Sequence, residues 1–234
     1  MKTLHEYQLT RSKRKTIGLY IRNGCVEVRA PLKMPKCDID KFVMSKEKWI
    51  NDRLACSKEQ AARRDDFALD YGHFVIYRGK EYPIVAKDGN RIGFDDVRFY
   101  MPPGLSPEQI KSYCVQIYRL LAKRDLTDKV IYYAEQMYVM PSAIKINGAK
   151  TRWGSCSAKK SLNFSWRLIM ACDEVIDYVV IHELAHITEM NHSARFWAVV
   201  GNVAPDYRER RKLLKVLQKR LAGENWENRL NDSQ

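Results

Sequence analysis

Apolar positions recur along this chain with two different periods, and the change of period divides it. Over residues 5–30 the period is two, the repeat of a strand with one buried face. Lys15-Thr16-Ile17-Gly18-Leu19-Tyr20-Ile21-Arg22 alternates polar with apolar. After Asn23-Gly24, a strong short hairpin signal, Cys25-Val26-Glu27-Val28-Arg29-Ala30 alternates again. With Tyr7-Gln8-Leu9 these stretches predict a small sheet, and they place the basic run Arg11-Ser12-Lys13-Arg14-Lys15 on a hairpin tip. Pro31 and Pro35 end it. Asp38 or Asp40 then caps a helix reaching about Cys56, with Ile39, Phe42, Val43, Trp49, Ile50 and Leu54 at core spacing and a polar tail over 58–64. Short strands follow at 74–77, 82–86 and 97–100. Met101-Pro102-Pro103-Gly104 is stiff and non-helical, so a boundary is expected there. It separates a β-rich, basic region (1–103) from a second domain (104–234).

In that second part the helical period dominates. Ser106 opens a long helix with Pro107 in its first turn, and Ile110, Cys114, Ile117, Leu121, Leu126 and Val130 form its apolar stripe up to about 139. Pro141 stops it. Residues 143–147 read as a short strand, Asn147-Gly148 as a turn, and 161–167 as an alternating strand. From 175 to 187 apolar residues sit at helical spacing, with no Gly or Pro before Gly201, which predicts a buried helix turning back near Met190-Asn191. Ser193 caps a further helix carrying Phe196, Trp197, Val199 and Val200. Pro205-Asp206 starts a last one, Gly223 ends it, and 224–234 is a polar tail. The fold class is α+β.

The buried helix carries chemistry. His182 and His186 are four residues apart, hence on one face, where two imidazoles can share one metal ion. Glu183 lies one residue round from His182, placed to take a proton from an attacking water instead of ligating the metal. A turn beyond the helix brings His192 over the site as the third ligand, leaving a fourth tetrahedral position open. Three of the five histidines fall within these eleven residues. At this composition the whole H-E-x-x-H-x5-H spacing arises by chance on the order of once in ten thousand sequences. Glu189, one turn past His186, is the rival third ligand. Cys156 and Cys172 lie close in sequence, but a free Cys usually packs as a small hydrophobe.

Charge adds a second theme. The net +13 is uneven: residues 1–63 hold 15 Lys/Arg against 7 Asp/Glu, whereas 173–234 hold 9 against 10. The basic excess thus lies outside the histidine segment, which suits a polyanionic partner such as nucleic acid on an accessory surface. No run reaches the roughly 18 apolar residues of a membrane span, and Met1-Lys2-Thr3-Leu4-His5-Glu6-Tyr7 lacks the apolar core of a signal peptide. Both point to the cytoplasm. The six cysteines are scattered with no C-x-x-C pair, so reduced thiols are expected.

Taken together, Arg152-Trp153-Gly154-Ser155-Cys156-Ser157, Trp166-Arg167-Leu168, 175–180, the His182–His186 core, Asn191-His192-Ser193, Phe196-Trp197 and Pro205-Asp206-Tyr207 resemble the YgjP-like metallopeptidase family, a relative of the SprT and WLM zinc peptidases. The resemblance implies a zincin-like fold, one zinc on His182, His186 and His192, Glu183 as catalytic base, and a cytoplasmic location. Relatives of the SprT and WLM kind are associated with proteolysis at DNA. Glu189 departs from the metzincin pattern, where a Gly stands at the bend.

The leading expectation is a zinc-dependent peptidase acting on protein or peptide substrates, with Tyr207 or Arg152 as donor to the peptide oxyanion. A strand at 161–167 beside the histidine helix would bind an extended peptide through its main chain. Two other readings share the motif. A metal-dependent hydrolase of nucleotide phosphoanhydrides would want a Gly-rich phosphate loop or a carboxylate cluster, and neither is present in the sequence. A nucleic-acid-binding module with structural zinc would want four ligands where three are counted.

Overall fold

Strand β3 (Cys25–Pro31) is the middle of a three-stranded sheet, flanked by β1 (Tyr7–Ser12) and β2 (Gly18–Arg22). The computed structural model describes residues 5–22 and 24–226; Asn23 of the expected hairpin dipeptide and 227–234 of the expected tail lie outside the described residues. Gly24 adopts φ 75°, which only a residue free of a Cβ takes at little cost. β2 runs antiparallel to β3, but β1 pairs with β3 in parallel, not with β2. The basic run 11–15 is therefore no hairpin tip. Arg11 and Ser12 end β1, residues 13–15 begin the crossover to β2, and the Arg11 guanidinium donates to the carbonyls of Pro31, Leu32 and Met34 at 3.1, 3.0 and 2.7 Å. The register explains the pairing. It lines Tyr7 and Leu9 up with Val26 and Val28, so both strands present one apolar face to the core.

Two helices, not one, cover that face: α1 (Lys36–Ser45) and α2 (Glu47–Asp66), separated at Lys46. Ile39, Val43 and Ile50 bury completely against the sheet. Neither expected cap operates, since Pro35 precedes α1 without a side-chain bond; Asp40 instead accepts from the Tyr7 hydroxyl (2.5 Å) and Lys36 (2.8 Å). The polar stretch over 58–64 is the last part of α2.

By contact density these elements form one unit (up to Phe67, with Ala222–Asn225), and residues from Ala68 to Leu221 with Trp226 form another. The second unit begins with β4 (Phe74–Tyr77), β5 (Lys80–Ala86), β6 (Gly93–Phe94) and β7 (Phe99–Met101), ordered β4-β5-β7-β6. Arg78 and Gly79 join β4 to β5 with φ 50° and 76°, the two-residue turn whose twist matches a hairpin. The expected boundary at Met101–Gly104 thus falls inside this unit. The reason is packing against α3 (Pro107–Gln136): the Phe99 ring lies 5.2 Å from that of Tyr118, whose hydroxyl donates to the Ile76 carbonyl at 2.6 Å. Ser106 and Gln109 close a reciprocal capping box at the start of α3.

A third sheet, β8 (Ala143–Asn147), β9 (Gly154–Cys156) and β10 (Ser161–Ser165), is ordered β8-β10-β9, with β8–β10 parallel and β9–β10 antiparallel. β10 stops two residues short of expectation, because Trp166–Met170 forms a fully buried 3₁₀ turn. Then come α4 (Asp173–Ala185), α5 (Ala194–Val203) and α6 (Tyr207–Leu221). The architecture is mixed α+β. Among the described residues no helix is long and apolar enough to cross a membrane.

Candidate metal centre

α4 is apolar on nearly every side: Val175, Ile176, Val179, Val180, Ile181, Leu184 and Ala185 are all buried. A helix of that kind is held by packing, and only its ends are free to carry polar chemistry. At the first end Arg78 donates twice to Asp173, at 2.9 and 2.7 Å, and Lys129 reaches Asp177 at 2.5 Å. At the other end the helix stops at His186, earlier than the turn expected at Met190-Asn191. The amides of Thr188 and Glu189 both fold back onto the Ala185 carbonyl, at 3.2 and 2.9 Å. The chain then returns to α5, whose N-cap Ser193 accepts from the Phe196 amide at 3.3 Å.

That return brings His192 to the helix. One ligand atom from each of His182, His186 and His192 lies within 4.8 Å of the others, and the Nε2 atoms of His182 and His192 are 3.1 Å apart. Two nitrogens bound at ordinary zinc–nitrogen distance with tetrahedral angles stand about 3.3 Å apart, so this spacing suits a shared ion. Nδ1 of His186 stands 3.1 Å from the Glu189 carbonyl, which can only accept; Nδ1 carries the proton and Nε2 keeps its lone pair. Glu189, the rival third ligand, thus meets the cluster through its backbone, and its carboxylate is not part of the group. Burial, then the neighbouring His186 and His192, push His182 down to about 3, and burial lowers His186. Both are neutral at pH 7, as metal-binding imidazoles are. Nδ1 of His182 is buried without a hydrogen-bond partner. The Phe196 ring packs 4.5–4.9 Å from all three imidazoles and walls the cluster on one side.

Glu183 is 6% exposed, and burial alone pushes its carboxyl up to about 7. It stands under β9. A Cβ on Gly154 would meet Glu183 Cγ at 2.6 Å and Oε1 at 2.7 Å, so only glycine lets this strand approach. The strand along α4 is therefore β9, an edge strand, and not the 161–167 segment. β10 is the central strand, paired on both sides, and has no free backbone edge for a peptide. Cys156 shares the Gly154 face of β9, and burial followed by the charge of Glu183 raises its thiol pKa, opposite to what a nucleophile needs. Cys172 is raised by burial too.

The two expected oxyanion donors part company. Tyr207 stacks on Trp197 (5.1 Å, 17°), and Trp197 stacks on His192 (5.8 Å, 28°). Arg152 is exposed and lines a 160 Å³ pocket with Asn147, Ser155 and Asn163. Sequence reasoning placed Tyr178 only among the family-like positions 175–180, with no role, and passed over Arg211. Tyr178 is one helical turn before His182, ring to ring at 5.8 Å, and Arg211 sits over the Trp197 ring at 5.8 Å. The i−4 spacing was a signal for Tyr178. Arg211 had none, since it arrives on a separate helix.

A YgjP-like metallopeptidase domain matches residues 15–217. No curated protein matches the chain. Among solved structures, the metallopeptidase zymogen of Pyrococcus abyssi abylysin is similar at 22% identity and TM-score 0.37, covering 41% of this chain and 94% of that one. The zymogen of Methanocaldococcus jannaschii jannalysin is similar at 27% identity and TM-score 0.36, covering 41% and 96%.

Proposed function

The chain belongs to the YgjP-like metallopeptidase family, and from that premise we propose that this metal-dependent hydrolase is a zincin-like zinc peptidase in which His182, His186 and His192 hold the ion and Glu183 moves the proton. The observation that carries the reading is one cluster: three imidazoles with ligand atoms within 4.8 Å of one another, next to a buried carboxyl whose pKa is pushed up to about 7. Zinc bound there would polarise the scissile carbonyl and bring the pKa of water down to about 7.

Each residue then has a task. His186 is held by the Glu189 carbonyl with Nε2 towards the cluster, and Phe196 fixes the ring planes. Glu183, its carboxyl pushed up to about 7 by burial, takes a proton from the attacking water on a carboxylate oxygen and passes it to the leaving amine. Gly154 keeps β9 close above that carboxylate, and the free edge of β9 offers main-chain groups to an extended peptide, giving affinity without sequence selectivity. Tyr207, joined to the histidine side through Trp197, is the better placed oxyanion donor, and Arg152 the alternative.

The test is cleavage of a mixed peptide library read by mass spectrometry, with zinc-loaded wild type and Glu183→Gln side by side and metal content measured for both. Cuts made by wild type alone, at equal zinc, support the assignment. Full hydrolysis by the Gln protein would remove Glu183 from it, and absence of zinc in the wild type would remove the histidines.

A further inference from the structure

The first unit has a groove that the peptidase reading does not use. It runs along β2, an edge strand, beside α2, and has a volume of 320 Å³. From β2 it is lined by Leu19, Tyr20, Ile21 and Arg22; from α2 come Trp49 and Arg53, one helical turn apart, with Cys56 and Gln60 continuing the same face. Two large aromatic rings are left in solvent here, Tyr20 at 37% and Trp49 at 40% exposed. Each already carries a guanidinium: Arg29 lies 5.0 Å from the Tyr20 centroid and Arg53 5.8 Å from that of Trp49. No Asp or Glu lines the groove; Glu27, just outside the lining, pairs with Arg22 at 3.4 Å and Arg29 at 2.8 Å, which leaves Arg53 as the arginine to meet a phosphate first, and residues 1–67 hold 16 Lys/Arg against 9 Asp/Glu.

We propose that this groove is a binding site for single-stranded nucleic acid, in which bases stack on Tyr20 and Trp49 while Arg22 and Arg53 meet the phosphates. Aromatic faces alternating with arginines supply the two things such a strand offers, π-faces and a line of negative charge. A duplex hides its base faces in its own stack and cannot use the rings. An acidic peptide would satisfy the arginines and leave both aromatic faces without a planar partner. The basic run 11–15, which the sequence alone nominated for phosphates, does not contribute to the lining. Arg11 is spent on backbone carbonyls, and an Arg14 nitrogen lies 2.9 Å from where a Gly18 Cβ would stand, tucked against that strand.

The experiment is fluorescence anisotropy of the full chain with a labelled fifteen-residue oligo-dT, at 50 and 200 mM salt. Duplex DNA of equal length and polyglutamate serve as competitors. Wild type should bind the single strand with affinity that falls with salt, and neither competitor should displace it at equal charge. Trp49→Ala should weaken binding about tenfold and Trp49→Phe by less than threefold, since phenylalanine keeps a ring to stack on. Arg53→Glu should weaken it at least tenfold, whereas Lys123→Glu, the same change of net charge on α3, should alter it less than twofold. No binding at 50 mM salt would overturn the proposal. So would equal losses from Arg53→Glu and Lys123→Glu, which would mean diffuse charge alone, and so would displacement by polyglutamate, which would mean a peptide groove. Thermal unfolding of Trp49→Phe checks that any loss is not misfolding.

Discussion

The two ends of α4 bury charge in opposite ways. At the first end Asp173 and Asp177 are each met by cations from other elements, Arg78 from the β4–β5 turn and Lys129 from α3. Burial would raise the Asp173 carboxyl, but Arg78 and Lys129 outweigh it and hold the pKa below the usual value. At the second end Glu183 is buried more deeply, and among the described residues no hydrogen bond or ion pair reaches its carboxylate. His182 likewise keeps a buried Nδ1 without a partner. A carboxylate that holds structure has its counter-charge inside the chain. One buried without a counter-charge costs stability, and that cost is retained where the missing partner arrives from outside, as a metal ion and a substrate do.

The largest effect should come from removing the unpaired charge. Glu183→Gln keeps the shape and loses the proton acceptor, so peptide turnover should fall roughly a hundred- to ten-thousand-fold, measured as kcat on a quenched peptide at fixed zinc content. Equal kcat would break the contrast between the ends outright. Next is Gly154→Ala. Its methyl would stand 2.7 Å from Oε1, so the Glu183 side chain must shift, and a displacement of that size costs roughly tenfold to a hundredfold in kcat. Zinc content should stay unchanged, because no histidine is touched.

The paired end should answer differently. Lys129→Met removes the cation shared by Asp173 and Asp177 and should cost about 1–2 kcal/mol, between the values for exposed and buried pairs. That lowers Tm by a few degrees, roughly 2–4 °C per kcal/mol in a domain of this size. The kcat of the remaining folded protein should be that of wild type. A fall in kcat matching Gly154→Ala would mean that the two ends are one coupled device.

The proximity of the three imidazoles was legible because it depends on local rules: i and i+4 share a helix face, and a chain that leaves a helix at its end can fold back within six residues. Ser106 and Ser193 were legible as caps for the same reason. What the sequence did not carry was order in space. Nothing local says that β1 skips β2 to pair with β3, or that β9 and not β10 takes the edge beside Glu183, since both depend on long-range register. The break at Lys46 has neither Pro nor Gly to mark it, and it lets α1 and α2 both face the same sheet. Tyr207 and Arg211 reach the histidine side through Trp197, and Arg211 also through its charge on His182, all of it tertiary.

The pH dependence of stability is the most discriminating, because it reads both burials in the metal-free protein. Glu183 has a folded pKa of about 7 against 4.5 in the unfolded chain. Between those values the unfolded state releases its proton first, so this group makes the fold less stable as pH rises from 4.5 to 7. His182 has the opposite sign. Its folded value of about 3 lies below the ordinary 6.5, so the unfolded chain binds its proton more readily, and the fold gains stability as pH rises from 3 to 6.5. In wild type the two slopes oppose each other over pH 4.5–6.5. Glu183→Gln removes one of them and leaves the other. Urea unfolding after chelation should therefore show stability rising more steeply with pH in the Gln protein than in wild type, and the difference should level off above pH 7. Parallel curves would show that Glu183 is not strained by its burial, and the contrast between the two ends of α4 would rest on geometry alone.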